Sequence, residues 1–427
     1  MIIHNYSVLK KDPCFTKGLQ ILNAGLESAM PQKELKKFFY SNKIKIGKKR
    51  INLSNYGSIY LVAFGKAANS MTKTVNSLLK IKNGIVVVPK GMTSIINNDK
   101  FKIFKSGHPI PNRTSVLAAK SIIKFLKQRK HGDLVIFLVS GGSSALLALP
   151  DGITLNDKIK ITKQLLMSGA TIDEINCIRK HLSQIKGGRL VKEMRCDAIS
   201  IVMSDVLGDD LTSIASGTTY FDKSKYSDAL KIIKKYRLQN RIPKQILDRI
   251  NLGVSGRIPE TPKTTKIPHK IILTNKDCIK AMQNKSKKLG ISNKTVIVSG
   301  DVINETSNLV SQIPKNKNSC ILFGGETTVK VKGKGKGGRN QELVLRILEK
   351  IQKTKQNLII SSLGTDGIDG NTKYAGAITK NIQVPHKEIK SYLNKNNSMN
   401  FFKKYGGLIN TGYTHTNLMD IGIILKL

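Results

Sequence analysis

Tryptophan is absent from this 427-residue chain, and aromatic residues make up only 5% of it. Stacking platforms for single-stranded nucleic acid need clustered rings, so nothing here advertises that class of partner. Cysteine is scarce: Cys14, Cys177, Cys196, Cys278 and Cys320 are odd in number, scattered, and include no C-x-x-C pair. Neither a disulfide framework nor a zinc site follows from such spacing. No run approaches the ~20 apolar residues of a membrane helix. The residues after Met1 lack the basic segment, apolar core and cleavage site of a signal peptide. A cytoplasmic location without membrane association is the expectation. Acidic residues are also few, 28 against 72 Lys and Arg, which leaves a formal net charge of +44. In a short chain such a balance would point to nucleic acid. Here the lysines are spread along the whole length among Ile and Asn, so the charge reads as solvated surface with a general attraction for anionic ligands. No specific nucleic acid is expected.

A hydrophobic content of 40% over 427 residues is ample for a buried core and suggests two domains, or three. Residues 1–45 read as helices, with Leu19, Ile21, Leu22, Leu26 and then Leu35, Phe38 and Phe39 at helical spacing. Strands at Ile59–Phe64, Gly84–Val88, Lys102–Lys105, Leu134–Val139 and Ala198–Met203 then alternate with helical stretches such as Thr114–Gln128. That alternation marks a doubly wound parallel sheet. The proline-containing stretch Ile258–His269 reads as a linker near a domain boundary, giving domains at 1–255 and 256–427. Beyond it, strands at Lys270–Thr274, Thr295–Val298, Cys320–Phe323, Thr327–Val331 and Leu358–Leu363 alternate with helices at Asp277–Leu289 and Asn340–Gln352, a second α/β domain.

The stretch Leu134–Pro150 organises the rest. Its first half is apolar without alternation, as in a strand buried on both faces, and its second half is helix-compatible. Between them Ser140, Gly141, Gly142, Ser143 and Ser144 form a turn whose backbone N–H groups can converge on an anion. An isolated Gly-Gly turn more often serves packing alone, and other loops shift that balance. In open α/β sheets ligands bind beyond the carboxyl ends of strands, where this chain repeatedly carries Gly, Ser and Asp. Lys66 stands at the start of a helix, where the dipole disfavours a cation, so propensity does not explain it. Arg339 enters a helix from a flexible basic loop and could grip a carboxylate or phosphate in bidentate fashion. Asp205, Glu326 and Asp366 each follow a predicted strand. In a phosphate-binding cleft such acids hold Mg²⁺ or accept a proton, and as structural residues they would be caps or Asx turns. His108 reads as a turn residue. There is no G-x-G-x-x-G after the first strand and no G-x-x-x-x-G-K-[ST].

Taken in order, these loops resemble the class II glycerate 2-kinases, also called the MOFRL family, some of which were once labelled hydroxypyruvate reductases. The resemblance rests on Gly65-Lys-Ala-Ala with Met71, Gly107-His-Pro-Ile-Pro, Ser140-Gly-Gly-Ser-Ser-Ala-Leu-Leu, Ile178-Arg-Lys-His-Leu-Ser with Lys186-Gly-Gly-Arg-Leu, Ser204-Asp-Val-Leu-Gly-Asp-Asp, Gly324-Gly-Glu-Thr-Thr-Val, Gly337-Gly-Arg-Asn-Gln-Glu, Gly364-Thr-Asp-Gly-Ile-Asp-Gly and Thr411-Gly-Tyr-Thr-His-Thr-Asn. Each piece alone is weak, whereas the ordered set is specific and spans most of the chain. The family usually has glycine where Ser143 and His415 stand, and proline where Leu207, Thr218, Asn371 and Tyr413 stand.

The resemblance implies transfer of phosphate from ATP, with Mg²⁺, to the 2-hydroxyl of D-glycerate. It also implies a Rossmann-like N-terminal domain, a C-terminal MOFRL domain and an active site in the cleft between them. Lys66, Arg339, Asp205 and Asp366 would then be catalytic. Ser140–Ser144, Lys186, Gly187, Gly188 and Asn417 would hold the nucleotide, with Asp205, Glu326 and Asp366 on the metal. Monomer and homodimer are both compatible with the sequence. A hydroxypyruvate reductase would need the nicotinamide fingerprint that is missing. A nucleic-acid-binding protein would explain the charge but not the glycine loops.

Overall fold

The computed structural model describes residues 1–96, 99–352, 354 and 356–427. Two compact units emerge, Pro31–Ile272 and a second composed of Met1–Met30 with Leu273–Leu427. Both divisions differ from the expected 1–255 and 256–427. The N-terminal segment belongs with the C-terminal one because helix Phe15–Ser28 carries Leu19, Ile21, Leu22 and Leu26, all buried. Its close partners are C-terminal: a Cβ on Gly25 would stand 2.8 Å from Ile421 Cδ1 and 2.9 Å from Met282 Cγ.

The Pro31–Ile272 unit begins with helix Gln32–Phe38, followed by an antiparallel hairpin that the helical spacing of residues 1–45 does not predict, β1 (Lys43–Ile46) and β2 (Lys49–Asn52). Its main sheet contains β3 (Ser58–Phe64), β4 (Ile81–Pro89), β5 (Phe101–Ser106), β6 (Asp133–Val139), β7 (Asp197–Met203) and β8 (His269–Leu273), in the order β5-β4-β3-β6-β7-β8. Pairing is parallel from β5 through β7. β8, expected to open the second domain, instead forms the edge of this sheet. Every residue of β6 is buried, which is why its sequence shows no alternation. Val135, Phe137 and Val139 pack with Val62, Phe64 and helix residues Ala118, Ala119 and Ile122, each large side chain contributing about 1.5–3 kcal/mol by burial. The strand order reverses between β3 and β6, and at such a switch point the loops leaving neighbouring strands diverge and open a crevice. Gly65–Lys66 leaves β3 there, and Ser140–Ser144 leaves β6.

The second unit has a mixed sheet of β9 (Ser292–Asp301), β10 (Ser319–Thr328), β11 (Leu358–Gly364), β12 (Gly376–Lys380), β13 (Leu408–Ile409) and β14 (Asp420–Lys426), in the order β13-β12-β11-β14-β10-β9. β14 runs antiparallel between β10 and β11, while β9 and β10 are parallel. The two strands expected at Cys320–Phe323 and Thr327–Val331 are the single strand β10. Gly324 and Gly325 do not interrupt it; they sit where a side chain has no room, since a Cβ on Gly325 would lie 2.0 Å from Val298 O. Helix Arg339–Ile351 packs Leu343, Val344, Ile347, Leu348 and Ile351 into the core of this unit. Among the described residues no helix is long and apolar enough to cross a membrane.

Candidate active site

At the switch point of the parallel sheet, three loops meet. The Lys66 N–H donates to Gly141 O at 2.9 Å, and the Ala67 N–H donates to Ser140 Oγ at 3.0 Å. Gly65, at φ +125°, has no space for a side chain: a Cβ there would lie 2.1 Å from Ser140 Oγ. Gly142 is left-handed at φ +82°, and a Cβ on it would meet His108 Nε2 at 3.0 Å and Lys66 Cγ at 3.4 Å. The His108 ring therefore lines the same crevice, a role that its Gly-His-Pro context did not disclose. Two expectations change. The helix beginning at Ser143 is a single turn, Ser143–Leu146, so the loop's anion-binding capacity rests on its backbone N–H groups rather than on a helix dipole. Lys66 stands just before the N-cap of its helix, which starts at Ala68, rather than in the first turn, and it remains near the end of the dipole that disfavours a cation.

Ser143, where the family usually has glycine, fits because the left-handed position is Gly142. Its hydroxyl lies 3.0 Å from Phe64 O and 2.5 Å from Ser140 O, turned into the protein. Ser144 Oγ instead reaches Ser216 Oγ at 2.8 Å, and Ser216 donates to Asn176 Oδ1 at 3.0 Å. Lys186 is almost wholly buried. Its Nζ donates to Ser143 O (3.3 Å), Ala215 O (3.1 Å) and Thr218 Oγ1 (3.0 Å). Those acceptors match the three N–H bonds of an ammonium, so this side chain ties the loop to the turn Ala215–Gly217 instead of reaching outward. Burial, with Lys158 and Arg179 nearby, pushes its pKa well below the usual lysine range. Gly187 and Gly188, at φ +60° and +82°, pack against Asp222 and Tyr220, and their N–H groups donate to Ser216 O and Gly217 O at 3.2 and 2.7 Å. Asp205 lies two residues past β7, beyond the same sheet end as the loop after β6.

In the mixed-sheet unit the sequence expectations converge on Arg339. Its Nε and Nη2 donate to the two Asp420 oxygens at 2.5 and 3.0 Å, and Nη1 lies 2.5 Å from Glu326 Oε1. Burial opposes the guanidinium charge, but Asp420 and Glu326 more than offset it and hold its pKa above the usual value. Glu326 stands inside β10 rather than after it. Asp366 follows β11, and its Oδ1 accepts from the Ile368 N–H at 3.1 Å, an Asx turn. Asp369 heads helix Arg339–Ile351, accepting from the Asn340 and Gln341 N–H groups at 3.1 and 2.9 Å. Burial pushes this carboxyl up to about 7, against the pull of those two donors. Gly338 has no room for a Cβ, which would lie 2.2 Å from Asp369 Oδ1. Asn417 is buried in the loop before β14. Asp420 and Asp369 were not singled out by sequence reasoning. Asp420 lies 81 residues from Arg339, and no local spacing could link them.

Lys66, Asp205 and Ser140–Ser144 thus belong to one unit, and Arg339, Glu326, Asp366 and Asn417 to the other. Among the described residues, no group of three or more His, Cys, Asp and Glu side chains could hold a metal by itself.

Residues 17–251 match a family model described only as a domain of unknown function, DUF4147, and residues 319–420 match the MOFRL family. The glycerate 2-kinase of Pyrococcus horikoshii is 33% identical, with 96% of each chain covered. The D-glycerate 2-kinase of Thermotoga maritima is 35% identical over 96% of this chain and 98% of its own. The crystal structure of a Thermotoga maritima glycerate kinase superposes with a TM-score of 0.79 at 33% identity, covering 99% of this chain and 100% of that one. Two matched domains in this order, and relatedness along nearly the full length, make this chain a member of the class II glycerate 2-kinase, or MOFRL, family.

Proposed function

We propose that the protein is a glycerate 2-kinase that transfers the terminal phosphoryl group of ATP to the 2-hydroxyl of D-glycerate, giving 2-phosphoglycerate. In a chain of this family, the observation that carries the reading is the Ser140–Ser144 loop at the switch point, with Gly142 left-handed and facing Lys66 and His108. Phosphoryl transfer demands positioning and charge neutralisation above all. Backbone N–H groups of this loop bind the nucleotide phosphates, and Lys66 stabilises charge on the transferring group. Arg339, oriented by Asp420 and Glu326, takes the glycerate carboxylate.

The residues fit Mg²⁺: it prefers hard carboxylate oxygens and is usually held by one or two of them together with phosphate oxygens, so the absence of a three-residue cluster is compatible with it. Asp205 and Asp366 are the carboxylates for that role, with Glu326 engaged by Arg339. The ion neutralises phosphate charge when bound. The enzyme is assigned to the cytoplasm.

A reductase is not favoured, because β3 ends in Gly65-Lys-Ala-Ala and no dinucleotide fingerprint follows it. The test is a coupled assay with ATP and D-glycerate that resolves 2- from 3-phosphoglycerate. Formation of 2-phosphoglycerate is expected; NADH-dependent reduction of hydroxypyruvate without kinase turnover would overturn the reading.

A further inference from the structure

Behind the Ser140–Ser144 loop lies a concentration of positive charge that the reading above does not use. Lys158, on helix Leu155–Met167, is 5% exposed, and its Nζ is buried without a hydrogen-bond partner. Burial and the neighbouring Arg179 push its pKa down to about 7. Arg179, on helix Ile172–His181, makes no side-chain hydrogen bond or ion pair among the described residues, and burial also depresses its pKa. Lys186 feels the charge of both. The carboxylate nearest to Lys158 in sequence, Asp157, is committed elsewhere: it accepts from Thr154 N–H and Oγ1 and from Gln245 Nε2. Helix periodicity puts Arg179 one turn from Asn176 on the same face, and Asn176 holds Ser216, which in turn meets Ser144. Of the three cations only Arg179 keeps open surface, so it marks the way in.

Removing several cations from water without counter-charge costs several kcal/mol per ion; the lowered lysine pKa values relieve part of that cost, and an anion bound among these groups would restore their charge by pairing it. We propose that Lys158, Arg179 and Lys186 form a binding site for a phosphate-class oxyanion, with Lys158 and Arg179 as the direct contacts. Lys186, whose Nζ already has three acceptors, adds charge and links the site to the loop. A tetrahedral dianion suits the set better than a carboxylate. It carries enough charge for two contacting cations, and its oxygens can meet both the guanidinium fork and an ammonium. The oxyanion is either free phosphate or the phosphate group of a nucleotide or phosphoglycerate.

The test is binding of inorganic phosphate, in the absence of ATP and glycerate, followed by thermal shift and calorimetry against chloride at matched ionic strength. A kinase assay is not involved, so the outcome is separable from that of the proposed function. Wild-type protein should be stabilised by phosphate. Lys158→Met and Arg179→Gln should each bind it at least about tenfold more weakly, the loss of one charge-assisted hydrogen bond. Lys158→Met also removes a buried ammonium and keeps an unbranched chain of similar length, so its melting temperature without phosphate should be no lower than wild type. Lys288→Met, at an exposed position, controls for surface attraction and should bind as wild type. The same titrations with ADP and with 2-phosphoglycerate identify the source. Parallel weakening of one of these assigns the site to that ligand's phosphate, and weakening of inorganic phosphate alone assigns it to the free ion. Unaltered phosphate affinity in Lys158→Met and Arg179→Gln, equal weakening in Lys288→Met, or no stabilisation of the wild type would each overturn the proposal.

Discussion

Substituting Asp369 by Asn separates the charge of this carboxyl from its place at the head of helix Arg339–Ile351. In the folded chain the group holds its proton up to about pH 7, whereas its ordinary value is 3.8. Between those values the folded state binds more protons than the unfolded state, so the stability contributed at this position falls as pH rises and levels off above 7. At 1.36 kcal/mol per unit the whole window is worth about 4 kcal/mol, of which about 3 lies above pH 5. Asparagine has no such window. Hydrogen exchange of the helix amides, measured on both proteins at the same pH, cancels the intrinsic pH dependence of exchange. The protection of Asp369→Asn relative to wild type should therefore rise by roughly 10² between about pH 5 and pH 8. A constant ratio, or one moving in favour of the wild type, would refute the reasoning. It would mean that the Asn340 and Gln341 donors and the helix dipole outweigh burial.

Gly142→Val should abolish stabilisation by ATP and leave the fold largely intact; the left-handed backbone alone costs a residue with a Cβ about 1–2 kcal/mol, and unchanged ATP affinity would remove the loop from the site. Lys66→Ala should lower turnover in the coupled assay by roughly 10² or more, and near-normal turnover would end its catalytic role. Arg339→Lys should fail to restore activity because an ammonium cannot span both Asp420 oxygens; wild-type rates in that variant would show the fork to be dispensable. Among Asp205→Asn, Asp366→Asn and Glu326→Gln, a metal ligand should reveal itself by a Mg²⁺ requirement shifted to higher concentration, and a base by lost turnover at unchanged Mg²⁺ dependence. Full activity in all three would displace the site.

Strands buried on both faces were legible because their residues had no reason to alternate: β3, β4, β6 and β7 appear within a few residues of where Ile59–Phe64, Gly84–Val88, Leu134–Val139 and Ala198–Met203 were read. Glycine misled at β10. Gly324 and Gly325 read as a turn but lie inside β10, while Gly422 sits in β14 facing Phe323, whose Cζ a Cβ would approach to 2.0 Å. Close packing, not chain reversal, selected these glycines, and packing partners are not written locally. The loops of the candidate site were legible where a strand end announced them, as with Gly65–Lys66 and Ser140–Ser144, which meet through Lys66 N–H and Gly141 O. The Arg339–Asp420 fork was not, because it joins distant segments, and a lysine such as Lys186 gives no local sign that its ammonium is consumed by two carbonyls and a hydroxyl.

The central position of β14 sets the order in which the chain can finish itself. The parallel sheet needs nothing beyond β8, so it can close once residue 273 has been made. The mixed sheet has a gap between β10 and β11 until Asp420–Lys426 arrives, and helix Phe15–Ser28, synthesised near the start, packs against that same strand through Gly25 and Ile421. Throughout synthesis, therefore, the early helix must keep its apolar stripe uncommitted while an entire unit folds between it and its partner. Two open strand edges are exposed for the same interval, which is the condition under which chains pair with the wrong neighbour. Deleting β14 should accordingly cost the yield of folded protein well before any question of catalysis arises.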